Sequence, residues 1–546
     1  MFEIFGFDEF RPGQAEIVKA ALNGENLLAI MPTGGGKSLC YQLPALMGEG
    51  LTLVISPLIA LMRDQVAQLR GVGVAAASLN SGNSIQENHL IRHAAVNGEL
   101  KLLYLSPERL SRPDAMDFLH KANITTIAVD EAHCVSRWGH DFRPEYQQIG
   151  RVCQELGGVQ IMGFTATADA LTRKDIEQKL FPAPPKVFLH GFDRPNIRLA
   201  MSPRNNAKNQ LMSFLENHRG QSGIIYCQSR KKVDETASFL TRNAYQAYPY
   251  HAGLEAEIRA NNQDVFLREE GMIIVATIAF GMGIDKPDVR FVFHMDLPKN
   301  IESYYQEIGR AGRDDLPADT LTLYGYNEIR QYRQWIDEGD ASDEQKRIEH
   351  QKLNSLAAMC EASVCRRQTL LAYFGDQCEP CGNCDLCAGE VETRDGTREA
   401  QMALSNILRT NEMFGMEHLV AVLRGSENQK VQKFNHQNVS TFGIGKEISA
   451  NQWKSTYRQL LAAGLVAIDA DRFNRWFVTD AGWQVLKSLQ KVTLRKEVAI
   501  SASKSSRQSA DGLLTGDHNQ TVLAALKAYR LELAREKKQP AFVIFS

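Results

Sequence analysis

Short apolar runs recur along the early part of the chain at 27–31, 52–56, 102–106, 125–129 and 161–164, separated by helix-length segments of mixed polarity. Runs this short, rich in β-branched residues and without polar alternation, suit strands buried on both faces. Strand and helix in alternation predict a parallel sheet with helices on either side. A second series starts at Gly223-Ile-Ile-Tyr-Cys and continues through 272–276, 290–295 and 320–324. Two tandem α/β lobes follow, with the boundary near Phe192 to Asn196, where Pro195 and polar residues break the pattern. Farther on, Tyr457 to Ala463 reads as helix, and Val466-Ala-Ile and Trp476-Phe-Val flank a polar turn at Asp471 to Asn474, the pattern of a winged helix. Ser501 to Asp517 is polar, serine-rich and aperiodic, a flexible linker before one last amphipathic segment.

The first chemical signal is MPTGGGKS, after the apolar run that ends at Met31. Gly34, Gly35 and Gly36 let backbone amides turn inward on an anion, and the helix start adds its dipole. Lys37 reaches the outer phosphates and Ser38 can ligate magnesium. The strict phosphate-loop pattern has a glycine where this chain has Met31, so one element is missing.

The second signal is VDEAHC. Thr125 to Val129 places Asp130 and Glu131 at the carboxyl end of a buried parallel strand, where ligands gather in open sheets. Asp130 is suited to hold magnesium through water, and Glu131 to orient and deprotonate an attacking water. The third is QEIGRAGRD, which sets Arg310 and Arg313 three residues apart on a helix predicted to begin near Ile301, with Gln306 one turn before Arg310. Arginines that enter a phosphate site only on lobe closure couple closure to chemistry. The three together point to a nucleotide-driven motor.

Directly after the acidic motif, CVSRWGHDFRPEY interleaves Arg137, Trp138, His140, Phe142 and Arg143. Such a mixture can stack on unpaired bases and track phosphates, although Trp138 and Phe142 suit a core equally well. Cys365, Cys381, Cys384 and Cys387 form two overlapping C-x-x-C steps plus one earlier cysteine. Four thiolates at that spacing suit a tetrahedral structural zinc. An iron–sulfur cluster is the rival, but the closing cysteine of that pattern is absent downstream. Cys40, Cys134, Cys153, Cys227 and Cys360 read as small apolar packing residues.

These strings, with FGFDEFRPGQ, SPLIALMRDQ, SPERL, GFTATA, FDRPNI, IIYCQSR, YHAGL and VATIAFGMGIDKPDVR, closely resemble the RecQ family of DNA helicases over nearly the whole chain. The resemblance implies a fold of two tandem RecA-like parallel-sheet lobes at 1–196 and 197–335, a small helical zinc-binding domain at 336–392 and a winged-helix domain at 393–498. A linker at 499–518 and a shortened start of the helicase-and-RNase D carboxyl-terminal domain at 519–546 complete that reading. It implies ATP, Mg2+ and Zn2+ as cofactors. Phe7, Arg11 and Gln14 should hold the adenine, and Thr165 and Thr167 should link the lobes. The aromatic-rich loop should sense single-stranded DNA, and CRR and CGNCDLC should hold the zinc. The winged helix should grip duplex DNA, with Arg424, Lys430 and Lys433 as phosphate contacts and Arg472 and Phe473 at the wing tip. The activity implied is ATP-dependent 3′ to 5′ unwinding of forked, tailed and recombination-intermediate DNA, by a monomer that engages single-strand-binding protein. A different class, an ATP-switched DNA-binding or remodelling module without strand separation, would use the same residues.

Composition adds limits. The 546 residues, 44% hydrophobic and 23% charged, describe an ordinary globular chain of three to four domains. A net charge of -2 gives no general nucleic-acid signature, so DNA contacts must come from local patches. No apolar run approaches a membrane span, and the acidic start MFEIFGFDEF is unlike an export leader, so the expected location is cytoplasmic, at the nucleoid.

Overall fold

The computed structural model describes residues 1–80, 82–110, 112, 114–139, 142–281, 286–389, 391–469 and 475–496, and beyond them positions 522, 525, 526, 528–530, 532–534 and 536. Arg472 and Phe473, the linker at 499–518, and His140 lie outside the described residues.

Seven parallel strands build the first sheet: β1 Leu27–Ile30, β2 Leu51–Ile55, β3 Ala76–Leu79, β4 Leu102–Leu105, β5 Ile124–Val129, β6 Gln160–Thr165 and β7 Lys186–Leu189. Their spatial order is β3-β4-β2-β5-β6-β1-β7. Successive residues of a strand point to opposite faces, and both faces are covered. Leu28 and Ile30 pack into one apolar layer and Leu27 and Ala29 into the other. That double burial is why β1 reads as unbroken apolarity.

The second sheet has six parallel strands, β8 Ile197–Pro203, β9 Gly223–Tyr226, β10 Ala247–Tyr250, β11 Ile273–Ala276, β12 Phe291–His294 and β13 Ala318–Tyr324, ordered β10-β11-β9-β12-β13-β8. Hydrophobic patterning misses four strands in the two sheets, and all four are edges. β7 buries only Phe188, β8 carries Arg198 and Ser202 among its apolar residues, and β10 contains Pro249, which an edge tolerates because one side needs no amide donors. The fourth, β3, is Ala-Ala-Ser-Leu, too small and polar to register as an apolar run.

One expectation is corrected. The helix that begins at Ile301 ends at Ile308, so Arg310 and Arg313 do not share a helical face. Gly309 caps the helix, and Gly312 at φ 58° turns the chain left-handed between the arginines.

Helices Asp343–Glu361 and Arg366–Tyr373 precede the cysteine loop, which pairs with the exposed edge of β8. Asp385 N donates to Leu199 O at 3.0 Å, and the Asp385 carboxylate accepts from Met201 N at 3.2 Å. An unpaired strand edge is thereby covered. Helices Thr397–Arg409, Met416–Leu423 and Ala450–Ala462 pack around the buried Trp453 and Tyr457, followed by the hairpin Val466–Asp469 and Arg475–Val478. The last of these helices starts earlier than its apolar residues suggest, because Ser449 and Gln452 close a capping box. Among the described residues no helix is long and apolar enough to cross a membrane.

Candidate nucleotide and nucleic-acid site between the lobes

From β1 the chain turns through Gly34 at φ 82° and Gly36 at φ 75° into the helix Lys37–Met47. Only glycine adopts such angles without strain, and a Cβ on Gly36 would also collide with the Gln14 amide. Gln14 is 2% exposed and donates to Gly35 O at 3.3 Å and Gly36 O at 3.1 Å, and Arg11 donates to Gly34 O. Phe7, 53% exposed in the same amino-terminal segment, offers an open ring face. Met31, the departure from the strict loop pattern, is buried, and its amide bonds to Thr165 O at 3.0 Å, extending the β1–β6 pairing by one residue.

Lys37 Nζ donates to Met31 O and Pro32 O, each at 3.3 Å. Burial lowers its pKa, opposed by the charges of Glu131 and Asp130. Ser38 Oγ accepts from Gln65 at 3.0 Å, and Tyr41 donates to the same Gln65 at 2.9 Å. Sequence reasoning missed Gln65, since the glutamine that ends SPLIALMRDQ carries no pattern signal.

β5 delivers Asp130, whose amide bonds to Ile55 O at 2.8 Å, and Glu131, whose φ of 49° is left-handed. A non-glycine residue held there marks a constrained site. Burial, then the adjacent Glu131 charge, push Asp130 above the usual carboxylate range. Glu131 is also raised by burial, but a hydrogen bond and the charge of His133, with Lys37 and Arg310, hold it below that range. His133 Nδ1 lies 2.9 Å from Thr165 Oγ1 and 3.3 Å from Glu131. Thr165 Oγ1 donates to Thr167 O at 3.1 Å, so the acidic motif and the turn after β6 form one network.

The second lobe meets this network directly. Gln306 Nε2 donates to Thr167 Oγ1 at 3.3 Å. Arg310 is 5% exposed, and its buried Nε has no hydrogen-bond partner among the described residues, a donor suited to an anion. The Arg313 side chain packs beside Gly34 of the phosphate loop. Arg194 stitches the two lobes, donating to Thr33 O at 2.6 Å, Ala311 O at 3.2 Å and Gly312 O at 2.6 Å. It lies in the quoted string FDRPNI, yet nothing in the sequence shows that its guanidinium spans the cleft. Lys37, Arg310 and Arg313 gathered around two carboxylates fit a magnesium triphosphate, whose phosphate oxygens accept from such cationic donors.

In the aromatic loop Arg137 is exposed, and Trp138 and Phe142 are half-buried. Arg143 donates to Pro57 O at 3.1 Å, tying the loop to the segment after β2. Trp138 lines a cavity of about 640 Å3 together with Gln306 and Arg310.

The four cysteines Cys365, Cys381, Cys384 and Cys387 converge, all four Sγ lying within 4.8 Å of one another. Cys365 and Cys384 Sγ are 4.0 Å apart, near the edge of about 3.8 Å that a tetrahedron of 2.3 Å zinc–sulfur bonds requires. Amides of Cys381, Asn383 and Cys387 donate to these sulfurs at 3.3–3.4 Å, which favours thiolates. The donor set fits a closed structural zinc site, with no open position for catalysis. Arg366, wholly buried, braces the loop through two 2.9 Å bonds to Asp385. Cys40, Cys134, Cys153, Cys227 and Cys360 are all buried away from it. In the winged helix Arg424, Lys430 and Lys433 are exposed, and Lys430 and Lys433 lie over the rings of Phe414 and Phe434.

A phosphate loop and acidic pair on one parallel sheet, met across a cleft by arginines from a second, define a helicase core of two RecA-like lobes. Residues 11–176 match the DEAD/DEAH box helicase family and 206–315 the helicase conserved C-terminal domain, while 326–388 match the RecQ zinc-binding family and 390–503 the RQC domain. The chain belongs to the RecQ family of ATP-dependent DNA helicases. It is 42% identical over 545 residues to ATP-dependent DNA helicase RecQ of Pasteurella multocida, covering 100% of this chain and 86% of that protein. To the Bacillus subtilis RecQ it is 38% identical over 546 residues, covering 99% of this chain and 90% of that protein. A solved structure of the DUF1998 helicase MrfA bound to DNA shares the fold alone, with a TM-score of 0.51 at 20% identity over 65% of this chain and 56% of that one.

Proposed function

We propose that this ATP-dependent DNA helicase moves 3′ to 5′ and unwinds forked, tailed and recombination-intermediate DNA in repair and recombination. The hydrogen bond from Gln306 to Thr167 carries the reading, because it joins the chain leading to Arg310 directly to the acidic network of the other lobe. Arg11 and Gln14 grip the nucleotide end of the phosphate loop, with Phe7 as a platform for adenine. Lys37 holds the outer phosphates, and Arg310 and Arg313 add positive charge to them when the lobes close. Ser38 and Asp130 would hold the magnesium that accompanies ATP, which would supply charge neutralisation at the phosphates. Glu131, held ionised by its cationic neighbours, orients the attacking water through an anionic oxygen.

Closure repeated on a held strand gives translocation. Arg137, Trp138, Phe142 and Arg143 engage the single strand, Thr165 and Thr167 relay that engagement, and the winged helix meets the duplex ahead. In this reading the zinc domain is a structural brace. The working unit is a monomer at the nucleoid in the cytoplasm, able to engage single-strand-binding protein.

Duplexes with one 3′ or one 5′ single-stranded tail separate the alternatives. Expected is ATP-dependent strand separation of the 3′-tailed duplex, abolished in Lys37→Ala. Separation of the 5′-tailed duplex alone would reverse the polarity, and ATP turnover without separation of either would favour a DNA clamp.

A further inference from the structure

Helix Asp343–Glu361 of the zinc-binding domain carries one lysine away from solvent and into the cleft region: Lys352, 6% exposed. Its ammonium has three donors and no acceptor, and every contact belongs to a different segment of the molecule. It donates to the Trp138 carbonyl at 2.5 Å, in the aromatic loop. It donates to both carboxylate oxygens of Glu302, at 2.9 and 2.8 Å. It also pairs with Asp169 at 3.6 Å.

Each partner leads to a residue already placed at the nucleotide site. Glu302, 1% exposed, lies one helical turn before Gln306 on the helix that runs toward Arg310. Asp169 follows Thr167 by two residues and caps the next helix by accepting from Thr172 N at 2.7 Å. Trp138 lines the cavity shared with Gln306, Arg310 and Lys352 itself. Tyr373, also of the zinc domain, donates to Glu302 at 3.4 Å, so that carboxylate is held from two helices.

A buried ammonium bonded in this way restricts its partners strongly. Removing it leaves the buried Glu302 carboxylate beside the half-buried Asp169 with no lysine between them, and frees the Trp138 carbonyl from its only charged contact in this group. Lys352 joins the zinc-binding domain to the aromatic loop of the first lobe and to the Glu302 helix of the second, which move relative to one another when the lobes close.

We propose that Lys352 is a positioning residue that couples the aromatic loop to the arginine-bearing segment, holding the Trp138 carbonyl and the Glu302 carboxylate in fixed relation. The inference rests on the aromatic loop being the sensor of single strands. It makes the zinc-binding domain a participant in that relay in addition to a brace.

The test uses the full zinc-loaded chain, comparing Lys352→Met, Lys352→Arg, Glu302→Gln and Trp138→Ala. Hydrolysis is measured with and without a single-stranded oligonucleotide, alongside oligonucleotide affinity, zinc content and melting temperature. Coupling between sites is ordinarily worth 5–150-fold, so Lys352→Met should lower the ratio of DNA-stimulated to DNA-free hydrolysis by about tenfold while oligonucleotide affinity and zinc content persist. Lys352→Arg, which keeps the charge and donors, should restore most of the ratio. A ratio in Lys352→Met like that of the parent chain, beside a collapsed ratio in Trp138→Ala, overturns the role of Lys352 alone. A parental ratio in Trp138→Ala overturns the sensor reading beneath it. Should Lys352→Met fail to fold, Glu302→Gln decides: a lowered ratio supports the coupling and a parental ratio overturns it.

Discussion

Gln306 reaches across the cleft to Thr167 and makes a side-chain hydrogen bond between the lobes at 3.3 Å. Thr167 is 1% exposed and sits two residues from Thr165, which touches His133 of the acidic motif. Closure therefore has a short covalent and hydrogen-bonded route to the Glu131 carboxylate. Gln306→Ala should lower DNA-stimulated kcat roughly tenfold, the scale of one hydrogen bond to a network. Thr167→Val should do the same, and the double variant should be little worse than either alone, because both remove one interaction. Additive losses would show that the two residues act separately.

Metal removal should act through the edge of a sheet. Cys384 pairs with Leu199 on β8, so the cysteine loop covers the last strand of the second lobe. Cys384→Ser, or strong chelation, is expected to release zinc, lower the melting temperature and promote aggregation through the uncovered edge. Metal analysis should find one zinc per chain and a colourless protein. A brown protein with visible absorption would replace zinc with an iron–sulfur cluster.

The winged helix should weaken in acid. His418 Nε2 lies 2.7 Å from His436 Nδ1, and the His418 ring stacks on Phe414 at 4.2 Å. Burial, then the charges of His436 and Lys430, pull the His418 pKa from its ordinary 6.5 to about 4, and burial lowers His436 as well. Both rings are neutral in the fold and gain protons more readily when unfolded. Their penalty is absent above pH 6.5 and grows as pH falls toward 4, so stability declines over that window. The slope of melting temperature against pH should flatten in His418→Gln. An unchanged slope would show that the pair does not titrate as described.

Much of the site can be read from the chain alone, because phosphate chemistry needs particular residues at particular spacings. Lys37, Ser38, Asp130 and Glu131 stand at strand ends that apolar runs announce, and the four cysteines declare themselves by spacing. What escapes is whatever depends on tertiary closure. Arg194 and Lys352 are single basic residues in unremarkable surroundings, and only the packed fold shows one spanning the lobes and the other buried against Glu302. The helix through Arg310 was overextended by periodicity, since Gly309 and Gly312 end it locally. Edge strands β7, β8 and β10 escape because one side of each lacks the neighbour that would impose continuous apolarity.

The central claim is that the second lobe completes a phosphate site built on the first. Arg310→Ala tests it most directly, with nucleotide affinity measured by titration and kcat measured in the presence of single-stranded DNA. The expected result is retained nucleotide affinity with kcat reduced roughly a thousandfold or more, as for an arginine that acts only at the transition state. A kcat close to that of the parent chain would contradict the claim.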